Sequence, residues 1–305
     1  MIESLTVVIP NRETPEETVA SAQSAIAEGV PADRIVIVDD SSADDSLERI
    51  RERLPEAVLV PLDRHAGYAH AANEGARRLP GEHYLLLNSD AFVHRHGSIQ
   101  TLLAALDDER VGIVVPRVLN EDLSLQPTVA PAHSPAVALV RASGLSRLVP
   151  NRWQPRWSTH WDHASSREIE TVVGAVLLVR GKTWDVLGGL DERSLMYAED
   201  HDLCWRAREA GWKVWFAHEA EFVHLGNRSG KRLWSSPDRA ELVGRSEGRM
   251  IRRHLPGLAG AATVALMCAG IAARWLVYAA IGRRAAQAEM RGSLKGLAPS
   301  VRRPH

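Results

Sequence analysis

Asn88 and Asp90 are the residues of this sequence whose types and spacing most directly suggest metal chemistry. They follow the apolar run Tyr84–Leu87, which is typical of a buried strand. Residues two positions apart in an extended segment point the same way, so the two side chains could face one cation. Hard oxygen ligands suit Mg²⁺ or Mn²⁺, which would also bind a diphosphate. An Asx turn after a strand would explain the same residues without a ligand.

Asp39 and Asp40 stand at the end of another apolar run, Ile35–Val38. Carboxylates at a strand end could accept hydrogen bonds from a ribose or from a pyrimidine N–H group. The alternative is that Asp40 and the serine after it only form a turn or cap the next helix. Motifs this short also recur by chance, so the segment alone favours the structural explanation.

A third cluster of acids lies in residues 197–202, which read Tyr-Ala-Glu-Asp-His-Asp. The pattern predicts that a helix begins here, and a helix N-terminus stabilises carboxylates. Glu199, Asp200 and Asp202, with His201 among them, are more than capping requires. A carboxylate held at this position could act as a general base toward a hydroxyl group.

Two further segments are candidates for contact with a diphosphate. His224 could complete a metal site or touch a phosphate as a neutral imidazole, although a lone histidine is more often structural. The helix predicted over residues 67–79 is rich in Ala and Gly, and its N-terminus near Gly67 could face an anion. Close packing of that helix on a sheet would explain the same small residues.

The elements that must position these residues alternate between strands and helices. Apolar runs predict strands at Leu5–Ile9, Ile35–Val38, Ala57–Val60, Tyr84–Leu87, Val111–Val115, Val172–Val179 and Lys213–Phe216. Helical patterns lie between them, and residues 120–170 are irregular. This alternation predicts an α/β fold, in which a mostly parallel sheet carries helices on both faces. Ligands of such sheets bind beyond the carboxyl ends of the strands, where the acids described above are found.

Composition excludes several classes of protein. The 305 residues contain 37 basic and 38 acidic side chains, and this balance argues against a nucleic-acid partner. The two cysteines, Cys204 and Cys268, cannot form a disulfide framework or a cysteine-based zinc site. The N-terminus lacks the basic and apolar regions of a secretory signal. We therefore expect a cytoplasmic protein.

The C-terminal part of the chain has a different character. Residues 255–282 are mostly apolar, but the charge-free part, Leu258–Ala273, is shorter than the ~20 residues that span a bilayer. Residues 283–305 hold six basic side chains and one acid. We interpret the segment as a helix that lies on or partly in a membrane, or packs on the domain, followed by a basic tail.

Taken together and in this order, the motifs resemble glycosyltransferase family 2, whose members have the GT-A fold and use nucleotide sugars. The resemblance covers about residues 4–230. Its strongest part runs from Val173 to Trp212 and includes Gly-Gly-Leu-Asp-Glu at 188–192 and Ala-Glu-Asp-His-Asp-Leu-Cys-Trp-Arg at 198–206. This part is similar to the acceptor and base region of bacterial rhamnosyltransferase-like members. The segment from His65 to Gly75 is similar to the motif after the third strand in the same subgroup.

The resemblance implies roles for individual residues. Asp200 corresponds to the catalytic base and Glu199 to its partner in the family's Glu-Asp pair, while Gly174 and Trp205 fall in the acceptor region. Asp90 and His224 correspond to residues that contact the metal, with Asn88 in place of the first acid of the Asp-x-Asp motif. The residues implied in binding the donor nucleotide sugar are Pro10, Asp40, Gly67, Asn73, Asn88 and Asp90.

The implied activity is inverting transfer of a sugar from a nucleoside-diphosphate sugar to a hydroxyl of a glycan or lipid-linked acceptor, in synthesis of envelope polysaccharide, with Mg²⁺ or Mn²⁺ as cofactor. The subgroup suggests rhamnose. The sequence departs from the family after Pro10, where Asn-Arg-Glu is shorter than the usual segment and lacks its aromatic residue. A nucleotidyltransferase remains an alternative, although the first strand is not followed by the expected glycine-rich loop. A non-catalytic sugar-nucleotide-binding protein is the other alternative.

The family resemblance and the C-terminal pattern together predict two parts in the domain organisation. Residues 1–250 form the catalytic domain, with a Rossmann-like nucleotide-binding half at about 1–118 and an acceptor half at 119–250. Residues 251–305 form the helical membrane-associating tail. We therefore expect the protein to be peripheral on the inner face of the cell membrane.

Overall fold

The computed structural model describes residues 2–193, 196–226 and 235–298. Nine of the strands in these ranges form one sheet, in the order β3-β2-β1-β4-β10-β6-β11-β5, with β8 paired to β11. The strands are β1 Leu5–Asn11, β2 Ile35–Asp39, β3 Val58–Pro61, β4 His83–Leu87, β5 Ala91–Val93, β6 Val111–Leu119, β7 Val129–Ala130, β8 Arg167–Ile169, β9 Thr171–Val172, β10 Val176–Arg180 and β11 Lys213–His224. β7 and β9 form a separate two-stranded sheet.

The helices connect the strands as the alternating pattern predicts. They are α1 Pro15–Ala27, α2 Ser46–Arg53, α3 Tyr68–Arg78, α4 Ser98–Ala104, α5 Pro135–Ala142, α6 Gln154–Trp157, α7 Gly181–Leu187, α8 Glu199–Glu209, α9 Ser236–His254, α10 Leu258–Ala280 and α11 Arg284–Leu297. The expected mixed α/β architecture is therefore confirmed. Short 3₁₀ turns occupy much of the remaining irregular segment.

Helices cover both faces of the sheet. One face carries α1, α2 and α4, whose apolar side chains pack with those of β1 and β2 in the main core. The other face carries α3, where Ala71 packs against Val36 and Val38. A Cβ atom at Gly75 would collide with Val8, so glycine allows α3 to lie directly on the strands.

The sheet is less uniformly parallel than its apolar runs indicate. β3, β2, β1 and β4 are parallel to one another, but β10 lies antiparallel between β4 and β6. β11 is twelve residues long rather than four, and it pairs with β5, a short strand that the sequence pattern did not reveal. Because β11 reaches so far, it brings His224 beside Ala91, next to Asp90.

The chain divides into two compact units. The first comprises residues 1–129, 162–195 and 199–229, and it contains the nine-stranded sheet. The second comprises residues 130–161, 196–198 and 230–305, and its described part is mostly helical. The domain boundary expected at residue 250 falls inside α9, which ends at His254.

In the second unit, α10 packs on α5 and α11. Among the described residues, α10 is the one helix long and apolar enough to cross a membrane, with a mean hydropathy of 1.6, and 22% of that stretch is buried in the protein. Length and composition of a single helix are weak evidence for a membrane span. Part of the basic tail, from residue 299 onward, lies outside the described residues.

Candidate active site

The first turn of α8 carries the acid pair, and a backbone N–H group holds Asp200 in place. Gly174 N donates to Asp200 Oδ2 at 2.5 Å, and His201 N donates to Asp200 Oδ1 at 2.7 Å. A Cβ atom at Gly174 would collide with the Leu177 side chain, so a larger residue here would require Leu177 to move. Asp200 remains partly accessible to solvent, as a group that accepts a proton from a substrate must be.

Glu199 has a different environment from its neighbour. It is 9% exposed, and its Oε2 atom has no hydrogen-bond partner among the described residues. Burial, and to a lesser degree the adjacent Asp200 carboxylate, raise the pKa of Glu199 to about 8. Glu199 is therefore mostly protonated at neutral pH. Adjacent carboxyl groups with such contrasting environments are typical of acid–base sites.

Tyr68 is a residue of this cluster to which the sequence assigned no role. It begins α3, and its buried hydroxyl group has no hydrogen-bond partner within the described part of the chain. Burial raises the pKa of Tyr68, and the nearby charges of Glu199 and Asp200 raise it further. The tyrosine therefore offers a neutral hydroxyl beside the acid pair. Only its place after Gly67, in the segment that resembles the family motif, could have pointed to it.

Asn88, Asp90 and His224 form a second polar centre where β4 ends. His224 Nε2 lies 3.2 Å from Asp90 Oδ1 and 3.5 Å from Asn88 Nδ2. Leu225 N donates to Asp90 O at 3.0 Å, so the backbones of the two segments are joined at this point. The structure thus brings together the three residues that the sequence assigned to metal or diphosphate contact.

Gln126 sets the tautomer of His224, and no signal in the sequence identified it. Asn120 Nδ2 donates to Ser124 Oγ at 2.9 Å, so Asn120 Oδ1 must accept the 2.9 Å bond from Gln126 Nε2. Gln126 Oε1 therefore faces His224 Nδ1 at 2.7 Å and accepts a hydrogen bond from its N–H group. In a neutral His224 with this tautomer, the Nε2 lone pair would be directed toward Asp90.

This centre fits a divalent cation with few protein ligands. The Nε2 atom of a neutral His224 and a carboxylate oxygen of Asp90 lie 3.2 Å apart, and both could bind one positive ion. Asn88 Oδ1 is buried and, within the described residues, accepts no hydrogen bond. No group of three or more His, Cys, Asp or Glu side chains suited to a metal occurs among those residues. A diphosphate and water would therefore supply the other ligands.

At the end of β2, Asp40 holds the loop before α3. Its Oδ1 accepts from Ala66 N at 2.7 Å, and its Oδ2 accepts from Gly67 N at 3.0 Å and lies 2.7 Å from His65 Nδ1. With Asp40 as acceptor, His65 Nδ1 carries the proton. The Nε2 atom of His65 is buried and unpartnered within the described chain. Asp40 thus contributes a scaffold, and His65 presents the available polar atom.

Asn73, expected to bind the donor, also bonds within the protein. Its Nδ2 donates to Leu190 O at 3.0 Å and to Glu192 Oε1 at 2.7 Å, and its Oδ1 accepts from Leu190 N at 2.9 Å. These bonds tie α3 to the segment after α7. The amide therefore has its hydrogen-bonding capacity used in the protein, which favours a supporting role over direct contact with a donor.

The other residues predicted for the site include Pro10, Gly67 and Trp205. Pro10 lies opposite Val38, beyond the last pair of β1 with β4, and Gly67 precedes α3 at a φ of 91°. Trp205 lies on α8, where its Nε1 donates to Glu209 one turn on. The shortened segment after Pro10 is structural, because Asn11 donates to Asp39 Oδ1 at 2.6 Å.

One stretch of backbone joins the acid pair to the second polar centre. Gly174 N holds Asp200, and the carbonyl of the next residue, Ala175, accepts from Asn88 N at 2.9 Å. The two centres are therefore held by consecutive residues just before β10. A substrate at this edge of the sheet could contact both.

Solved structures with a similar fold include nucleotide-sugar enzymes. A mannosyltransferase from Pyrobaculum calidifontis, in complex with GDP-Man and Mn²⁺, is 16% identical, with a TM-score of 0.60 over 97% of this chain and 87% of its own. The GalNAc-T7 structure with UDP, GalNAc and Mn²⁺ has a TM-score of 0.57 at 16% identity and covers 83% of this chain and 52% of its own. These similarities define the GT-A fold.

Residues 6–156 match the family model of glycosyl transferase family 2, so this part of the chain is a glycosyltransferase family 2 domain. The N-acetylglucosaminyl-diphospho-decaprenol L-rhamnosyltransferase of Mycobacterium tuberculosis is 30% identical over 206 residues, or 62% of this chain and 66% of that protein. The chain thus matches just under two thirds of this relative. The low-salt glycan biosynthesis hexosyltransferase Agl10 of Haloferax volcanii is 24% identical over 73% of this chain and 68% of its own.

Proposed function

We propose that this protein transfers a sugar, with inversion, from a nucleoside-diphosphate sugar to a hydroxyl group of a lipid-linked saccharide. The observation that carries the proposal is the joining of two polar centres by Gly174 and Ala175. One centre has a carboxylate suited to accept a proton, and the other has ligands suited to a cation and a diphosphate. A single displacement needs both functions at one substrate.

In the proposed reaction, Asp200 Oδ accepts the proton of the acceptor hydroxyl as its oxygen attacks the anomeric carbon. The Gly174 N–H group orients the carboxylate, and burial raises the pKa of the neighbouring Glu199 to about 8. Asn88, Asp90 and His224 would hold a divalent cation. A cation held there would supply positive charge to the departing diphosphate, so that one carboxylate could serve as base without a general acid.

The relatives support the choice of substrates. The mycobacterial relative is an N-acetylglucosaminyl-diphospho-decaprenol L-rhamnosyltransferase, and the mannosyltransferase with a similar fold was solved in complex with GDP-Man and Mn²⁺. We infer a deoxythymidine-diphosphate rhamnose donor and a lipid-linked diphosphate acceptor for this chain. Mg²⁺ and Mn²⁺ both suit an oxygen-rich site with one imidazole.

A panel of nucleotide sugars tests the proposal. The full chain is screened with each donor, with Mg²⁺ or Mn²⁺, for a rise in melting temperature, and transfer to a prenyl-diphosphate-linked N-acetylglucosamine is then measured. We expect stabilisation by one class of donor, followed by turnover that Asp200→Asn abolishes. The matched control is Asp185→Asn, at an exposed acid on α7. Donor binding without transfer would support a non-catalytic binding protein instead.

We further propose that the second unit attaches the protein to the cytoplasmic face of a membrane. Leu276 and Val277 on α10 are 61% and 58% exposed, and basic residues follow this helix. Flotation with anionic vesicles measures attachment. Leu276→Asp with Val277→Asp should reduce flotation severalfold, because charged side chains are expensive to insert into lipid. Val186→Asp, at an equally exposed position in α7, is the control, and equal loss in both variants would refute the proposal.

A further inference from the structure

The second unit contains a cavity of about 330 Å³ that no function has been assigned to. Its walls come from α5, from residues 158–160, and from α9, α10 and α11, all within that unit. The volume lies at the lower end of the ~300–1,000 Å³ typical of small-molecule sites. The cavity therefore has room for a compact head group and the beginning of a chain.

One wall of the cavity is apolar. Val137 of α5 and Met267 and Ile271 of α10 line it, and the two α10 residues are one turn apart on the same helix face. A Cβ atom at Gly270 would lie 2.9 Å from the Cα atom of Ala142. Glycine thus lets α5 and α10 touch, and their contact closes one side of the cavity.

Two arginines lie beside that contact. Arg141 directly precedes Ala142, and Arg274 is one turn after Gly270, so both lie within a turn of the point where the helices meet. Both are exposed, and neither forms an ion pair or hydrogen bond with another described residue. The acid in the lining, Glu247, lies 3.8 Å from His133 Nε2. The two guanidinium groups are therefore available to an anion.

We propose that this cavity binds the phosphorylated end of the lipid-linked acceptor, with its first apolar units against Val137 and Ile271. Guanidinium groups bind phosphate oxygens in a bidentate manner, which suits a diphosphate head group. The cavity holds only the start of a long chain, and further apolar side chains, Leu276 and Val277, are exposed near the end of α10. This assignment rests on the proposed function and specifies where its acceptor is held.

Farnesyl diphosphate is the probe for this site. Its binding to the full chain is measured by calorimetry with EDTA and an excess of dTDP, so that a metal-dependent nucleotide site does not contribute. We expect Arg141→Gln with Arg274→Gln to raise its Kd about 10-fold or more, because two charge-assisted contacts are lost. Arg147→Gln, at an exposed arginine outside the lining, should leave the Kd unchanged. Farnesol and inorganic diphosphate should each bind at least 10-fold more weakly than the joined molecule.

Two results would overturn the inference. Equal affinity of the double variant and the unchanged protein would remove the arginines from the site. Inorganic diphosphate that binds as tightly as farnesyl diphosphate would show a simple anion site without a lipid component. Both substituted side chains are exposed, and matching unfolding curves verify the fold. Arginine-dependent binding without any sugar transfer would refute the proposed function alone, whereas transfer with unchanged binding would refute this site alone.

Discussion

The acid pair and the end of β2 differ in how the protein uses their polar atoms. At the end of β2, both carboxylate oxygens of Asp40 accept hydrogen bonds from the loop before α3. Near the acid pair, Glu199 Oε2, Tyr68 Oη and Asn88 Oδ1 are buried and unpartnered within the described ranges. Each such atom costs about 1–3 kcal/mol of folding free energy. Asp40 therefore stabilises the local fold, whereas the unpartnered atoms have hydrogen-bonding capacity that a ligand could use.

The same contrast between bonded and unpartnered atoms is found among the residues expected to bind the nucleotide and their neighbours. Asp40 and Asn73 are bonded within the protein, whereas the His65 Nε2 and Arg12 Nε atoms are buried and unpartnered in the described chain. The atoms that remain for a ligand therefore belong to neighbours of the predicted residues. The role of this segment in donor binding stays a prediction, and the hydrogen bonds favour His65 and Arg12 over Asp40 and Asn73 as the side chains that would make the contact.

The largest expected effect comes from Asp200→Asn. Removal of the general base should lower the transfer rate about 10²–10⁴-fold, while the donor dissociation constant changes little. The amide keeps the shape of the carboxylate near Gly174, so the change tests charge rather than packing. Transfer at the unchanged rate, measured with radiolabelled donor beside the Asp185→Asn control, would place Asp200 with the scaffold residues.

Gln126→Leu tests whether the tautomer of His224 matters to cation binding. Loss of a partner that orients a histidine ligand typically costs about 10–100-fold in metal affinity. We expect such a loss in Mn²⁺ affinity, measured by electron paramagnetic resonance with a nucleoside diphosphate present. Gln100→Leu, at an exposed glutamine on the surface, serves as control. Unchanged Mn²⁺ affinity would mean that His224 is not a ligand or is oriented by other contacts.

Asp40→Asn should act on stability more than on chemistry. One of its oxygens becomes an NH₂ group that faces backbone N–H donors, so we expect a loss of about 2 kcal/mol in unfolding free energy. Urea denaturation measures this loss. A stable variant with strongly weakened nucleotide binding would show that Asp40 contacts the ligand directly, and would contradict its assignment to the scaffold.

Glu199→Gln gives the most specific effect, on the pH dependence of stability. The raised pKa means that the folded protein keeps a proton that the unfolded chain loses above its ordinary pKa of about 4.3. Stability should therefore fall as pH rises from about 5 to the folded pKa of about 8. The glutamine variant lacks this contribution, so its advantage over the unchanged protein should be larger at pH 8 than at pH 5. Equal differences in denaturation midpoint at both values would contradict the buried, protonated state.

The sequence predicts those parts of the fold that depend on local pattern. Buried strands such as Ile35–Asp39 and helices such as Tyr68–Arg78 appear within one or two residues of their expected ends, because apolar periodicity and small residues determine them locally. The antiparallel placement of β10 and the full length of β11 depend on pairing between distant segments. No periodicity within a segment specifies its neighbours in a sheet.

The residues of the candidate site also divide into those that a local motif predicts and those that depend on contacts between distant segments. Asp200, Asp90 and His224 belong to short motifs, so the sequence could propose them, and their catalytic roles stay predictions. Gln126 could not be found, because its importance depends on His224, 98 residues further along the chain. The protonated state of Glu199 depends on burial, which one acid in a cluster of acids does not reveal.

The position of β10 between β4 and β6 has a consequence for biosynthesis. When the first 119 residues have been synthesised, β1–β4 and β6 are available for folding. β6 is joined to β4 only through β10, at residues 176–180, so it cannot enter the sheet before that strand is synthesised. The segment that supports Asp200 and Asn88 directly precedes this strand. We therefore expect the candidate site to form only when the sheet closes, because a chain that ends before β10 lacks the backbone segment that holds Asp200 and Asn88.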